Sequence, residues 1–456
     1  MTKLPNLEQT RRSSSLQSLI ARELNFDKHA WESGFYQRKP KKLTVQGLIL
    51  GFWQMQHQSK NSLRHWAMQA GYEQGSSLCK QSLSERLDDR AVALAKRVLK
   101  SALSNKVGRK WEEQFSKTEQ SLLGRFNRIT IQDSTTQKLP ANLYDIFSGS
   151  YSHTQPAALL RLQALFDLTH QQWLDFSVDT YRENDQSQAL LPLEQMEEND
   201  LLIRDLGYFS LASIAQICQH HYLITKWDNR TTILNQKGQK IELLDLFQGK
   251  KQIDQPIRLG LKAQLPMRLV ARKLPKAKAQ ERIRRARADR HGAANHSQQY
   301  YQLLQYEIYL TNVPSNYLDA KLIAKLYALR WYIEILFKSW KSYANFRTML
   351  QKKQMTYHRT LVSIYLLLIQ FAYFTGHIYA YIRQHVGRYT DRAISILKYM
   401  DLISGLCPAL TAISSLEQLQ QWILLFAQHA TYEKRNKRQN MIEKYLYFKE
   451  LHIKFI

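Results

Sequence analysis

A chain of 456 residues is too long for one compact core, which points to two or three domains and a large buried interior. Its 65 Lys and Arg against 38 Asp and Glu leave a net charge of +27, yet 23% charged and 44% hydrophobic residues describe a globular chain rather than a disordered basic tail, so a polyanion is the first partner to test. Cys79, Cys218 and Cys407 are odd in number and far apart, which argues against a disulfide framework and for a reducing compartment, and no zinc spacing occurs.

The amino-terminal MTKLPNLEQTRRSSS has no apolar h-region, so secretion is not expected. Helices are predicted over Ser14–Asn25, Leu43–Gln56, Ser62–Tyr72 and Leu83–Leu103, where apolar residues recur at three and four. The break GYEQGSS at 71–77 resembles the turn of a helix-turn-helix, an outline that any αα-hairpin shares; the net charge tips the reading towards DNA.

From Asn127 the period changes to two. Strands are predicted at Arg128–Gln132, Leu162–Leu168 and Trp173–Val178, then a polar helix at Asp185–Glu198 and an apolar strand at Leu201–Ile203. A helix over Ser210–His220 and a strand over Tyr222–Thr225 follow, and a meander leading into alternating helix and strand predicts one mixed α/β sheet. Residues 230–312 carry short β-type runs at Ile241–Leu246, Ile257–Leu261, Met267–Ala271 and Tyr306–Thr311. They enclose a basic stretch, 271–290, with nine Lys and Arg against Glu281 and Asp289, dense enough to favour phosphate contact over a merely solvated face. A long helix is expected from Asp319 to Tyr343. The longest apolar run, Leu361–Phe374, spans 14 residues, short of the roughly 20 a membrane span needs, and reads as a buried helix. The remainder is helical, with a second basic knot at Lys434–Arg438. Only 16 Gly and 10 Pro occur, which suits a helix-rich chain and excludes an all-β architecture.

Plotted at 100° per residue, Tyr327, Arg330, Glu334 and Lys341 share an arc of about 60°, opposite Leu329, Ile333, Leu336 and Trp340. An ordinary amphipathic helix has the same pattern. Two aspartates add to it: Asp133 closing ITIQD and Asp205 closing LLIRD. At the carboxyl edge of a sheet they could face a glutamate carried by a helix. Three converging carboxylates repel unless cations neutralise them. Two hard divalent ions about 3.5–4 Å apart would do so, activating a water or hydroxyl and stabilising the leaving oxygen of a phosphodiester.

The pattern Y-x2-R-x3-E-x6-K formed by Tyr327, Arg330, Glu334 and Lys341 is the signature of insertion-sequence DDE transposases of the IS-four type. The D-x-G-Y of Asp205–Tyr208 and the strand ending Asp133-Ser134-Thr135 resemble their two aspartate motifs. The resemblance covers most of the chain and implies an α/β, RNase H-like catalytic core with a β-rich insertion, flanked by helical regions. The division it suggests is a helical DNA-binding region at 1–122, core at 123–229, insertion at 230–312, the glutamate helix within 313–375 and helices at 376–456. It further implies that Asp133, Asp205 and Glu334 bind two Mg²⁺ or Mn²⁺ ions, while Tyr327, Arg330 and Lys341 grip phosphates and Trp331 packs on the terminal nucleotide or in the core.

The activity implied is cut-and-paste cleavage at terminal inverted repeats of double-stranded DNA and joining of the 3′-hydroxyls to target DNA. A homodimer on paired ends in the bacterial cytoplasm, at the nucleoid, would carry it out. A non-catalytic end-binding descendant and an RNase H-fold nuclease are the alternatives. Lys226 and the cluster Arg282, Arg284, Arg285 and Arg287 are further candidate phosphate contacts. Relatives that pass through a hairpin stack a flipped base on a tryptophan in the insertion. The corresponding position here is Glu307, flanked by Tyr306 and Tyr309, and no tryptophan lies between Trp227 and Trp331. His291 and His296 lack nearby cysteines, so zinc is not expected. Neither a P-loop nor GxGxxG is present, so no nucleotide cofactor is expected either.

Overall fold

Among the described residues the amino-terminal segment folds into six helices, α1 (Leu16–Glu23), α2 (Phe26–Glu32), α3 (Val45–Gln56), α4 (Leu63–Tyr72), α5 (Lys80–Arg86) and α6 (Asp89–Ser104). The computed structural model describes residues 16–57, 62–72, 75–104, 125–151, 156–289, 296–350, 355–411 and 415–433. The basic knot at 434–438, His291 and part of the 71–77 turn lie outside these described residues.

Helix α3 is apolar almost all round and is the buried pole of this segment. Thr44 caps it, its Oγ1 accepting from the Gly47 amide at 3.0 Å. It crosses α4 so closely that a Cβ on Gly51 would lie 2.6 Å from the Ala70 nitrogen, a separation that admits only glycine. The single helix expected over Leu83–Leu103 is two. Asp88 interrupts it because its Oδ1 accepts from the amides of Arg90 and Ala91, at 3.0 and 3.1 Å, and so starts α6 afresh.

Among the described residues ten strands form one sheet. They are β1 (Ile129–Lys138), β2 (Ser148–Tyr151), β3 (Pro156–Asp167), β4 (Gln172–Thr180), β5 (Leu201–Arg204), β6 (Tyr222–Lys226), β7 (Ile233–Leu234), β8 (Gln252–Leu259), β9 (Leu265–Lys273) and β10 (Tyr306–Thr311). Across the first half the order is β4-β3-β1-β5-β6; β4, β3 and β1 are antiparallel and β1, β5 and β6 parallel. Three antiparallel strands followed by two parallel ones in this order are the RNase H-like arrangement. The parallel step from β5 to β6 needs a crossover, which α7 (Leu211–His220) supplies. Beyond β6 the same sheet continues antiparallel as β10, β9, β8 and β7, so the β-rich segment between residues 230 and 312 is built onto the core sheet.

Two sequence expectations fail here. Residues 185–198 form turns and a short 3₁₀ stretch instead of a polar helix. Pro192 disfavours helix before it, and the carbonyls of Gln188 and Ala189 are taken by the buried side chains of Gln132 and Arg204, at 2.9 and 3.0 Å. Residues 241–246 are not a strand: Leu243 and Phe247 share one buried face of a short helix, α8 (Leu243–Phe247).

The basic stretch is helical as α9 (Lys276–Ala288), and α10 (Gln298–Leu303) precedes β10. The predicted long helix is α11 (Ala320–Tyr327), a 3₁₀ turn at Ala328–Arg330, and α12 (Trp331–Tyr343). The carboxyl-terminal helices are α13 (Phe346–Leu350), α14 (Tyr357–Phe371), α15 (Tyr379–Val386), α16 (Ile396–Thr411) and α17 (Leu416–His429). A π-helical segment, Ala372–Ile378, joins α14 to α15. The resulting helix, Tyr357–Arg383, is long and apolar enough to cross a membrane, but 89% of its apolar window is buried inside the fold, as the sequence predicts for this run. One hydrophobic core unites the amino- and carboxyl-terminal helices with one side of the sheet; a second packs α7 and α8 with β8–β10.

Candidate active site

Asp133 does not end its strand. Pairing with β5 stops at Gln132–Arg204, whereas pairing with β3 carries β1 on to Lys138. Asp133 therefore stands where the parallel neighbour has run out and the sheet opens. Asp205 follows the last residue of β5. Glu334 sits in the first turn of α12, where the helix dipole favours a carboxylate. Strand, loop and helix thus deliver one acid each to the same place.

At their centre is Arg330. Its Nη1 donates to Asp133 Oδ2 at 3.0 Å and its Nη2 to Glu334 Oε1 at 2.5 Å, while Nε lies 3.9 Å from Asp205 Oδ1. Each edge of the guanidinium faces a different carboxylate. Burial works against the arginine charge, yet Tyr327, Asp205, Asp133 and Glu334 together raise its pKa above the ordinary value. Burial pushes the Asp133 carboxyl up to about 7; Arg330 and the Ser134 amide, 2.8 Å from Oδ1, oppose this, and Glu334 and Asp205 add to it.

The 3₁₀ turn changes the angular step between residues 327 and 331, so the uniform helical wheel does not hold across it. Tyr327 is buried and does not join a solvent-facing polar stripe. Its hydroxyl donates to Asp205 Oδ1 at 3.3 Å, and its ring packs 5.0 Å from that of Tyr309 with Lys226 Nζ 5.5 Å from its centre. Burial lowers the Lys226 pKa, and Asp205 opposes that. Leu329, Ile333, Leu336 and Trp340 are in the core as predicted. Trp331 is 55% exposed, which excludes core packing as its role.

An open cleft of about 510 Å³ contains Asp133, Asp205, Arg330, Glu334 and Lys341 together with Lys338 and Arg347. Sequence reasoning passed over the last two. Lys338 lies one turn beyond Glu334, so the i+4 rule would have found it; Arg347 follows the end of α12 and no periodicity signals it. Among the described residues none of Lys338, Lys341 and Arg347 has a carboxylate partner.

The α9 cluster is divided. Arg282 turns to the sheet, its Nη2 3.2 Å from Glu307 Oε1, and Arg272 holds the other oxygen of Glu307 with its Nε at 2.6 Å. Arg284 is exposed, Arg285 pairs with Glu281, and Arg287 lies 5.4 Å over the Tyr301 ring. Of the tyrosines beside Glu307, Tyr309 is buried against Tyr327 and Tyr306 packs 4.5 Å from Phe247. His296 stacks on Tyr300, with ring centres 4.2 Å apart.

The three acids offer only oxygen donors, the set that hard divalent cations take, and they already surround a positive charge. The donor set fits such ions. Among the described residues no three acidic, histidine or cysteine side chains are gathered tightly enough to enclose an ion in this arrangement; the guanidinium spaces the carboxylates around itself.

The sequence profile described as the transposase DDE domain matches residues 124–368, a span that contains all three acids. The chain is 29% identical over 335 residues to the transposase for insertion sequence element IS231F of Bacillus thuringiensis subsp. israelensis, covering 69% of each chain. It is 24% identical to the transposase for insertion sequence element IS1151 of Clostridium perfringens, over 59% of this chain and 64% of that one. Among solved structures, a piggyBac transposase synaptic complex with hairpin DNA aligns with a TM-score of 0.41 and 9% identity, over 95% of this chain and 88% of that one.

Proposed function

The chain belongs to the transposase DDE domain family, and from that premise we propose that it mobilises an insertion element by cut-and-paste, binding the terminal inverted repeats, cleaving them and joining the 3′-hydroxyls to target DNA. One observation carries this reading. Three carboxylates from three separate elements meet around a single guanidinium, in a cleft that also presents Lys338, Lys341 and Arg347, which have no acidic partner among the described residues.

Asp133, Asp205 and Glu334 would hold two Mg²⁺ or Mn²⁺ ions, which when bound supply an activated water or 3′-hydroxyl and stabilisation of the leaving oxygen. The rest falls to the chain's own groups. Lys338, Lys341 and Arg347 take the phosphate oxygens of the scissile strand. Arg330, released from the carboxylates, adds its fork to the same phosphates. The Tyr327 hydroxyl keeps Asp205 oriented, and exposed Trp331 offers a face for the terminal base. Lys226 continues the cationic path towards α9 and its exposed Arg284.

Glu334→Gln tests this with a duplex carrying the inverted repeat that flanks the coding region. The expected result is Mg²⁺-dependent nicking by the wild-type chain, loss of at least a hundredfold in the variant, and unchanged binding of the duplex. Undiminished nicking by the variant overturns the proposal. Binding without nicking by the wild type identifies an end-binding descendant, and nicking without strand-transfer product identifies a nuclease.

A further inference from the structure

Behind the two aspartates lies a buried polar chain that the chemistry above does not use. Asp185 follows β4 and sits against the sheet, its side chain 23% exposed. Its Oδ1 accepts from Arg161 Nη1 at 2.7 Å and from Gln163 Nε2 at 3.0 Å, two residues of β3. Arg161 Nη1 also reaches Ser134 Oγ at 3.4 Å, and the Ser134 amide donates to Asp133. On the other side, Gln163 Oε1 accepts the hydroxyl hydrogen of fully buried Tyr208, with the oxygens 2.5 Å apart. Tyr208 belongs to the turn that begins at Asp205. In that turn a Cβ on Gly207 would come within 3.0 Å of Asp185 Oδ2, so the glycine lets the carboxylate lie directly against the turn.

We infer that Asp185 is a positioning residue that sets the separation of Asp133 and Asp205. Through Arg161 it braces Ser134, the neighbour of Asp133; through Gln163, Tyr208 and the Gly207 contact it braces the turn that starts at Asp205. It is not a further metal ligand, because one carboxylate oxygen is committed to two donors on β3 and its charge is neutralised by Arg161. Nor is it only a fold contact: Arg161 leads through Ser134 to Asp133, and Gln163 and Gly207 lead to the turn that Asp205 opens. The inference rests on the metal-dependent reading proposed above, since a fixed aspartate separation matters most to a pair of bound cations.

The test measures Mn²⁺ binding to the full chain from the electron paramagnetic resonance signal of free Mn²⁺. Asp185→Asn, which keeps the shape and removes the charge, is expected to weaken binding by about tenfold with the thermal midpoint little changed. Asp185→Glu is expected to recover part of the loss. Should Asp185→Asn not fold, Tyr208→Phe removes only the hydroxyl that donates to Gln163 and is expected to weaken binding by about threefold, a smaller loss because it leaves the Arg161 arm intact. Wild-type affinity in Asp185→Asn, or in Tyr208→Phe where it stands in, overturns the inference. Absence of Mn²⁺ binding by the wild type, or its persistence in Glu334→Gln, overturns the metal-site reading instead.

Discussion

Arg330 is the residue on which the candidate site turns. With three carboxylates within 4 Å it is a resident counter-ion, and any divalent cation bound by the same acids competes with it. Removing one partner of a buried charge cluster destabilises far more than removing an exposed pair, because the remaining charges stay behind unneutralised. Arg330→Gln should therefore lower the stability of the metal-free chain, by less than the roughly 3–5 kcal/mol of a fully buried pair because the Asp205 and Glu334 carboxylates are 42% and 30% exposed. Millimolar Mn²⁺ should return a large part of that loss while adding much less to the wild type. Thermal melts of both chains with and without Mn²⁺ decide it; equal stabilisation of the two would mean that Arg330 does not occupy the place of the cations. Burial is why the Asp133 carboxyl is pushed up to about 7 even with a guanidinium beside it: it outweighs the arginine, and the two other acids add a smaller share.

At the scale of elements, the notable joint is where the amino-terminal helices lock onto the carboxyl-terminal ones. His57 ends α3, with Gln56 Nε2 3.0 Å and Gln370 Nε2 3.3 Å from its Nε2, and Ser404 Oγ 3.2 Å from its Nδ1. This imidazole ties α3, α14 and α16 together. Burial pulls its pKa from the ordinary 6.5 down to about 4. A depressed histidine holds its full contribution above pH 6.5 and loses it as pH falls towards 4, because the unfolded chain takes up a proton that the folded one refuses. Stability should decline over that window by at most about 3 kcal/mol from this group. His57→Gln should flatten the decline, as read from urea unfolding at pH 4.5 and 7.5; an unchanged difference between the two pH values would show that His57 is not its source. The helices α11 and α12 illustrate the same scale differently. A 3₁₀ turn between them sends Tyr327 inward and Trp331 outward, which no uniform wheel anticipates.

For the molecule as a whole, the charge of +27 acquires a direction. Part lies in the cleft as Lys338, Lys341 and Arg347, and part on α9, where Lys276, Lys278 and Arg284 are exposed. End binding should fall steeply as salt rises, because each neutralised phosphate releases counterions. Neutralising those three α9 residues with glutamine should weaken binding of all duplexes alike and reduce the slope of log K against log salt by up to about 3. Titration at several salt concentrations measures it, and a slope unaltered by the triple variant would place the DNA elsewhere on the surface.

What can be read from residues alone is whatever depends on local periodicity or on a fixed spacing along one element. The alternation of β1, β3 and β4, the apolar strand before Asp205, the buried face of α12 and the buried helix α14 are of this kind, and the motif residues Asp133, Asp205, Arg330 and Glu334 could be named before any fold was known. Hydrogen bonds from neighbouring side chains undid two of the predicted helices. Asp88 split one helix, and Gln132 and Arg204 captured the backbone of 185–198 so that no helix formed there. The three-way placement of Arg330, the recruitment of Lys338 and Arg347 and the brace through Asp185, Gln163 and Tyr208 join residues far apart in the chain. Such contacts are decided by which strands lie side by side, a property of the packed sheet and helices that no stretch of sequence carries on its own.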